Sequence, residues 1–494
     1  MQRAFAIALG LFCGIATFAV GWGLTSSRPI ATGVALVATV LVIFWTSSRS
    51  VLQLQSSAVP KPLKWVAGVA AVVALLQLGR LTVFMVDPTE VNYSNFPSNS
   101  WEVHHSCLTA YFCAVEAVDT QPNIYDESLY ALPGKANEVR KARLIETFRI
   151  DQYEYPPAFL LLPRVLHAIA PSFLPHRALW FGLNLLVLMG AMLIAARFLS
   201  TAAATRAIVL VPLLFVALPT LSMLQKGNIQ GMVIALALVA MLWLERGRHA
   251  AGGAVLAYTI VSKLYPGLLL IYLIVRKQWN ALAWTAGFGA LYLTLSVADV
   301  GIEPYRAFIH HLPGLLGGEA FPAFRNPAAL AINLSIPGLA FKLKLFDVPG
   351  MGFGAAKVIG WIYTAIALWL TVLFAKRART DEEKLLVVLT VIILATLRSP
   401  FLPTAYATFP ALWLLTLMGA AVNPSTRTLI ITLVTWALLT VYVPMQWMPP
   451  RALAILTLLP QVTMMAMPFV LWMRLRSATS SLSSDLPRLQ PSTA

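Results

Sequence analysis

Apolar runs of about 20 residues, each long enough to cross a bilayer as a helix, recur along this 494-residue chain between short polar turns. Runs near 4–24, 30–47 and 65–85 come first, followed by a polar stretch from 86 to 154. Nine more follow, near 178–196, 207–223, 228–244, 279–299, 353–375, 385–398, 403–420, 428–444 and 452–473. The pattern predicts an all-α polytopic membrane protein with 12 full crossings and a long loop after the third. Three further apolar stretches do not fit as crossings. Segment 155–171 would invert everything after it, 250–275 has basic clusters at both ends, and 328–345 is broken by Pro337 and Gly338. The second is itself interrupted at Ser262-Lys263-Leu264-Tyr265-Pro266-Gly267, where proline cannot continue a helix. All three read as re-entrant or half-depth segments. Irregular backbone at that depth survives only where protein or a water-filled cavity covers it, so these segments should line a cavity.

Composition supports the membrane reading: 59% of residues are hydrophobic and only 11% charged, against about 25% charged in a soluble domain. A net charge of +16 raises the question of nucleic acid, but Lys and Arg are strung singly and in pairs between apolar runs, with no basic face. Topology accounts for them better, since short cytoplasmic loops carry excess Lys and Arg. With Arg3 inside, Arg49, Lys61 and Lys64 fall inside, as do Arg197/Arg206, Arg246/Arg248, Arg276/Lys277, Lys376/Arg377/Arg379, Arg427 and Arg474/Arg476. Both termini are then cytoplasmic and loop 86–154 lies outside. The run Ala4–Leu24 is too long and continuous for a cleaved signal and reads as a retained first span. Residues 1–64 form an N-terminal transmembrane hairpin, 65–475 the main membrane domain, and 476–494 a disordered cytoplasmic tail.

Carboxylates are unevenly distributed. Of 20 Asp and Glu, 11 lie between Met85 and Tyr155, beside five bases, Lys135, Arg140, Lys141, Arg143 and Arg149. Charges are expensive inside a bilayer, so this loop belongs in water and is the place to look for chemistry. Cys107 and Cys113 lie in it at a spacing of six, which on a helix puts them on different faces, so two free thiols are expected.

Within the loop, Glu102, His104 and His105 fall in Trp101-Glu102-Val103-His104-His105-Ser106-Cys107. A glutamate beside histidines suits general-base work or a divalent metal. Adjacent histidines on a helix point about 100° apart, so no metal is assigned. Asp87, where the third span meets water, is the other candidate base. Glu154 and Tyr155 precede Pro156-Pro157, which preset an extended junction leading into a helix. Asn228 sits in the turn Gln225-Lys226-Gly227-Asn228, and Lys263 with Tyr265 at the tip of the broken segment. A lysine there is either a ligand for an anion or a snorkelling side chain. Arg325 and Arg398 interrupt the positive-inside pattern and call for a phosphate, an acidic lipid or a paired carboxylate. No P-loop, dinucleotide glycine fingerprint or HExxH motif occurs.

In order, NIYDESLY, EYPPAFLLL, the block from KGNIQG through VSKLYPG to VRKQW, NPAALAINLSIPG and LRSPFLPTAYATFPALW resemble the integral membrane glycosyltransferases of the GT-C superfamily. Specifically, they are similar to glycosyltransferase family 87, whose members include polyprenol-phosphate-mannose-dependent mannosyltransferases. The resemblance covers roughly 85–420 and implies a GT-C fold, a polyprenyl-phosphate sugar donor, a lipid or glycan acceptor, an outward-facing site and inverting transfer of a hexosyl or pentosyl residue. It implies a carboxylate base in the first large outer loop; beyond the lipid-linked donor no cofactor is expected, with a divalent metal left open. Where the family usually carries an Asp, this chain reads WEVHHSCLTAYFCA, so the base falls to Glu102, His105 or Asp87. Lys263 matches the family's lysine, and with His104, Tyr155, Asn228, Tyr265, Arg325 and Arg398 it forms the candidate donor-binding set. Competing readings are a transporter or flippase of lipid-linked sugars, disfavoured by the lack of an internal repeat, and an assembly protein, which leaves the acidic loop without a cause.

Overall fold

A computed structural model of the chain describes residues 1–48, 54–132, 141–422 and 424–484. Arg49, Lys135, Arg140 and the end of the expected tail lie outside the described residues. The described chain is almost wholly helical. Eight helices are long and apolar enough to cross a membrane: Gln2–Thr25, Arg28–Ser48, Lys61–Val86, Phe173–Ala196, Trp279–Val300, Phe353–Arg377, Thr404–Ala421 and Pro450–Arg476. A ninth arises if Thr201–Val216 and Leu218–Lys226, bent by 64°, make one broken span.

Length and apolarity thus support eight or nine of the expected 12 crossings among the described residues. Runs near 228–244, 385–398 and 428–444 become the helices Gln230–Glu245, Asp381–Leu397 and Thr426–Leu439, of 16, 17 and 14 residues. At about 1.5 Å per residue these fall short of a hydrocarbon core about 30 Å thick. Hydropathy reads apolar length, and the buried helices Gln230–Glu245 and Asp381–Leu397 are as apolar as spans, whereas Thr426–Leu439 is largely exposed on its apolar side.

The three interrupted segments are interrupted as the prolines require. Pro156 is extended (φ −57°, ψ 148°) and Pro157 opens a short 3₁₀ turn leading into Leu161–Ile169. Helix His249–Ser262 stops at Lys263, which is extended (φ −144°, ψ 128°), before Pro266 starts the next turn. Between Pro327–Ala331 and Gly338–Lys344 the backbone is irregular, and its polar groups are met by the segment 397–402. Leu334 N donates to Leu402 O at 2.8 Å and Ile336 N to Leu397 O at 2.9 Å. Asn333 donates to Pro400 O and accepts from Leu402 N, both at 2.9 Å. NPAALAINLSIPG and LRSPFLP thus interlock, which is how non-helical backbone is tolerated away from water.

Two packing features position the loop. Arg177, fully buried, donates to Phe84 O at 2.7 Å and Met85 O at 3.0 Å, satisfying the C-terminal carbonyls of helix Lys61–Val86 where the loop begins. Gly227 ends helix Leu218–Lys226 in the left-handed region (φ 63°), and its carbonyl accepts from Trp180 Nε1 at 2.9 Å. The N-terminal hairpin docks on helix Phe173–Ala196, where Gly182 lets the backbone of Ala16 approach; a Cβ there would sit 2.6 Å from Ala16 O. Cys13, Cys107 and Cys113 are free thiols.

An all-helix reading of the loop misses one element. Strands β1 (His105–Ser106), β2 (Leu144–Ile145) and β3 (Phe148–Ile150) form a small sheet in the order β1-β3-β2, β1 and β3 parallel with His105 opposite Arg149.

Candidate active site

One cavity of about 1150 Å³ opens where the loop meets the interrupted helices. Its wall takes Tyr155 and Pro156 from the first interrupted segment, Ser262 to Tyr265 from the second, Ala329 and Ile332 from the third, and Arg398 to Tyr406 from the last motif. All three segments expected to line a cavity line this one. Leu268, Ile271, Phe308, Leu312 and Leu316 give it an apolar side.

Lys263 projects into it from the helix break. Its Nζ donates to Gln230 Oε1 at 2.9 Å and lies 5.2 Å from the Tyr155 ring centre and 5.9 Å from that of Tyr406. Ring faces and an amide hold the cation in place without neutralising it. Arg398, also on the wall, donates through Nε to Thr364 Oγ1 at 2.6 Å and has no carboxylate partner among the described residues. Arg325 differs: it is bonded to Glu127 at 2.7 Å, both lining the cavity. Its charge is already answered by the paired carboxylate that an arginine on this side called for.

Glu102 reaches the wall but is committed. Its Oε2 lies 3.0 Å from Lys226 Nζ, and its Oε1 accepts from Tyr442 OH at 2.9 Å. Lys226 Nζ donates to the same hydroxyl at 3.0 Å. All three are buried. Glu102 is held in position by Asn99, which caps its short helix by accepting from Glu102 N. Both of its oxygens thus face fixed partners, a lysine ammonium and a tyrosine hydroxyl.

His105 and Asp151 meet because β1 and β3 run side by side. Cys107 directly follows β1 and Asp151 directly follows β3, so the pairing of the two strands brings both close to His105. His105 Nε2 lies 2.9 Å from Asp151 Oδ2 and 3.9 Å from Cys107 Sγ. Burial disfavours the imidazolium, but Asp151 and Cys107 outweigh it and raise the His105 pKa to about 10. Asn228 donates to Cys107 Sγ at 3.4 Å. Among the described residues these form the one group of three potential ligands with all ligand atoms within 4.8 Å of one another.

Glu154, half-buried on the cavity wall, has no hydrogen bond or ion pair among the described residues. Burial pushes its carboxyl well above the usual carboxylate range; Asp151 and Cys107 add to this and Lys263 opposes it. It is the cavity carboxylate free to take a proton.

Of the candidates named from sequence, Glu102, His105, Lys263, Tyr155, Asn228, Tyr265, Arg325 and Arg398 converge on the cavity. Asp87 and His104 do not line it. Asp87 sits at the exposed end of its helix, paired with Arg28 at 3.2 Å and bonded to Thr89. His104 is the last residue of a short helix just before β1, and His105, not His104, lines the cavity. Sequence reasoning missed Asp151 and Tyr442: nothing local separates Asp151 from the other acids of the loop, and Tyr442 is 340 residues from the carboxylate it holds.

Fold and site together describe a polytopic membrane protein with a large cavity, part apolar and part cationic, beside an acidic loop. A family model for glycosyltransferase family 87 matches residues 153–400, half the chain, and the protein belongs to that family. Two curated relatives, each an alpha-(1->3)-arabinofuranosyltransferase of Mycobacterium tuberculosis (strains CDC 1551 / Oshkosh and ATCC 25618 / H37Rv), are each 28% identical over 169 residues. That alignment spans 33% of this chain and 38% of each relative. No solved structure matches. The chain thus spans about two fifths of the length of the curated relatives it matches.

Proposed function

We propose that the protein moves a glycosyl residue from a polyprenyl-phosphate sugar to a lipid- or glycan-linked acceptor at the outer face of the cell membrane, with inversion at the anomeric carbon. The observation that carries this reading is Lys263, a cation with no ion pair among the described residues, sharing one cavity with Glu154, a carboxylate with no hydrogen bond or ion pair among them, beside an apolar wall. The apolar side accepts the polyprenyl chain, while Lys263 and Arg398 hold the phosphate. The acceptor hydroxyl oxygen attacks the anomeric carbon and its proton passes to the Glu154 carboxylate. The bond from that carbon to the phosphate oxygen breaks, its electron pair leaving with polyprenyl phosphate. A phosphate needs no proton to leave at neutral pH, so cations suffice there. Residues 65–475 carry this reaction in our reading, with 1–64 as an accessory hairpin.

The relatives' name makes a pentofuranosyl donor the form to test beside a mannosyl one. Purified protein in lipid nanodiscs should release polyprenyl phosphate from one of these donors when envelope lipids and glycans are supplied as acceptors. Release from neither donor would refute the reading. Movement of intact lipid-linked sugar across a sealed vesicle, without transfer, would instead favour a flippase.

A further inference from the structure

We propose that His105 Nε2, Cys107 Sγ and Asp151 Oδ2 form a three-ligand site for a divalent ion of the zinc class, with its open fourth position facing the cavity. The three belong to two chain segments brought together by the β1–β3 pairing, with their ligand atoms all within 4.8 Å of one another. All three line the cavity. In a tetrahedral zinc site with ordinary bond lengths, sulfur and imidazole nitrogen stand about 3.6 Å apart and nitrogen and carboxylate oxygen about 3.4 Å. The corresponding separations here are 3.9 and 2.9 Å. Small side-chain rotations close the difference.

The donor set selects the metal. A thiolate with an imidazole and one carboxylate suits zinc and its neighbours in the first transition row, whereas magnesium and calcium take oxygen ligands. Asn228 Nδ2 already donates to Cys107 Sγ, the kind of outer contact that favours a thiolate. Thr109 Oγ1 accepts from Asp151 N at 3.0 Å and donates to Ser106 O at 2.6 Å, fixing the two segments against each other. Cys107 N donates to Lys226 O at 2.8 Å, so the cysteine is held from its backbone as well. Three protein ligands and one open position are the arrangement of zinc sites that bind a substrate atom. On binding, the thiol proton and any imidazolium proton pass to solvent. The open position suits a phosphate oxygen, and that assignment alone rests on the donor reading above.

The test uses the full chain in detergent, stripped with chelator and titrated with Co²⁺ as the probe. The expected result is one ion per chain, tetrahedral d–d bands and a sulfur-to-cobalt charge-transfer band, all displaced by Zn²⁺. Cys107→Ser should abolish the charge-transfer band, and Asp151→Asn should weaken binding by more than about tenfold. A measurement on the unaltered protein stands beside these: Zn²⁺ should protect Cys107, but not Cys113, from alkylation resolved by peptide mass spectrometry. Absence of bound Co²⁺, an unchanged spectrum in Cys107→Ser, or equal labelling of Cys107 with and without Zn²⁺ would overturn the site. Inorganic phosphate should shift the d–d bands of the loaded protein; unchanged bands overturn the phosphate contact. None of these readouts uses a sugar donor, so a negative result leaves the transferase reading standing, and a failed transferase assay leaves the metal site standing.

Discussion

Glu102 Oε2 and Lys226 Nζ stand 3.0 Å apart, both buried, with Tyr442 OH bridging them at 2.9 and 3.0 Å. The pair fixes the floor of the loop: Gln225, next to Lys226, donates to Glu102 O at 2.9 Å, and Lys226 O accepts from Cys107 N. Glu102 is thus an anchor between the loop and the polar turn.

Removing one partner of such a pair strands the other charge away from water. Glu102→Ala should cost about 3–5 kcal/mol of stability, read as lost monodispersity and a lower thermal midpoint in detergent. The double variant Glu102→Gln/Lys226→Gln, which removes both charges and keeps hydrogen-bonding capacity, should recover most of the loss.

Glu154→Gln should keep the fold, since no hydrogen bond or ion pair is broken, and should lower turnover by about 10²- to 10⁴-fold, the usual contribution of a general base. Donor affinity should change little. An unaltered kcat would move the base elsewhere in the loop.

The pH dependence carries a sign. Burial raises the Glu154 carboxyl above its ordinary range, so it stays protonated, and inactive as a base, at pH values where an exposed glutamate is ionised. Activity should therefore rise with pH through an acid limb lying above the ordinary carboxylate range near 4.3. Glu154→Gln should flatten that limb, which a kcat/KM profile of both proteins reads directly.

Lys263→Ala should raise the donor KM and lower turnover, by about 10²- to 10³-fold in kcat/KM, as expected when a charge-stabilising group is lost. Arg398→Ala should act in the same direction. Lys263→Arg should restore part of the loss by returning the charge, but not all of it, because the larger guanidinium does not place its charge where the compact ammonium meets Gln230.

Asp87→Asn should leave transfer near that of the parent protein and shift stability by no more than about 1 kcal/mol, because its pair with Arg28 is exposed. A strong loss of activity here would show that the loop base lies at the end of the third helix, outside the cavity.

Much of the architecture was legible along the chain because its determinants are local. A bilayer demands long apolar runs, prolines stop helices, and charges gather in water, so the polytopic helical fold, the three interruptions and the acidic loop follow from one dimension of information. The lysine at the Ser262–Tyr265 break could be found the same way, as a cation where no helix continues. Span count could not, because Gln230–Glu245 and Asp381–Leu397 are apolar from burial inside protein, not from exposure to lipid. Nor could the roles of the carboxylates. Glu102 became an anchor through Tyr442, 340 residues away, and Asp151 gained His105 and Cys107 through strand pairing across more than forty residues. Hydropathy and helix signals act over a few turns, whereas the partner of a carboxylate, and hence whether it can accept a proton, is set by which distant segments share a wall.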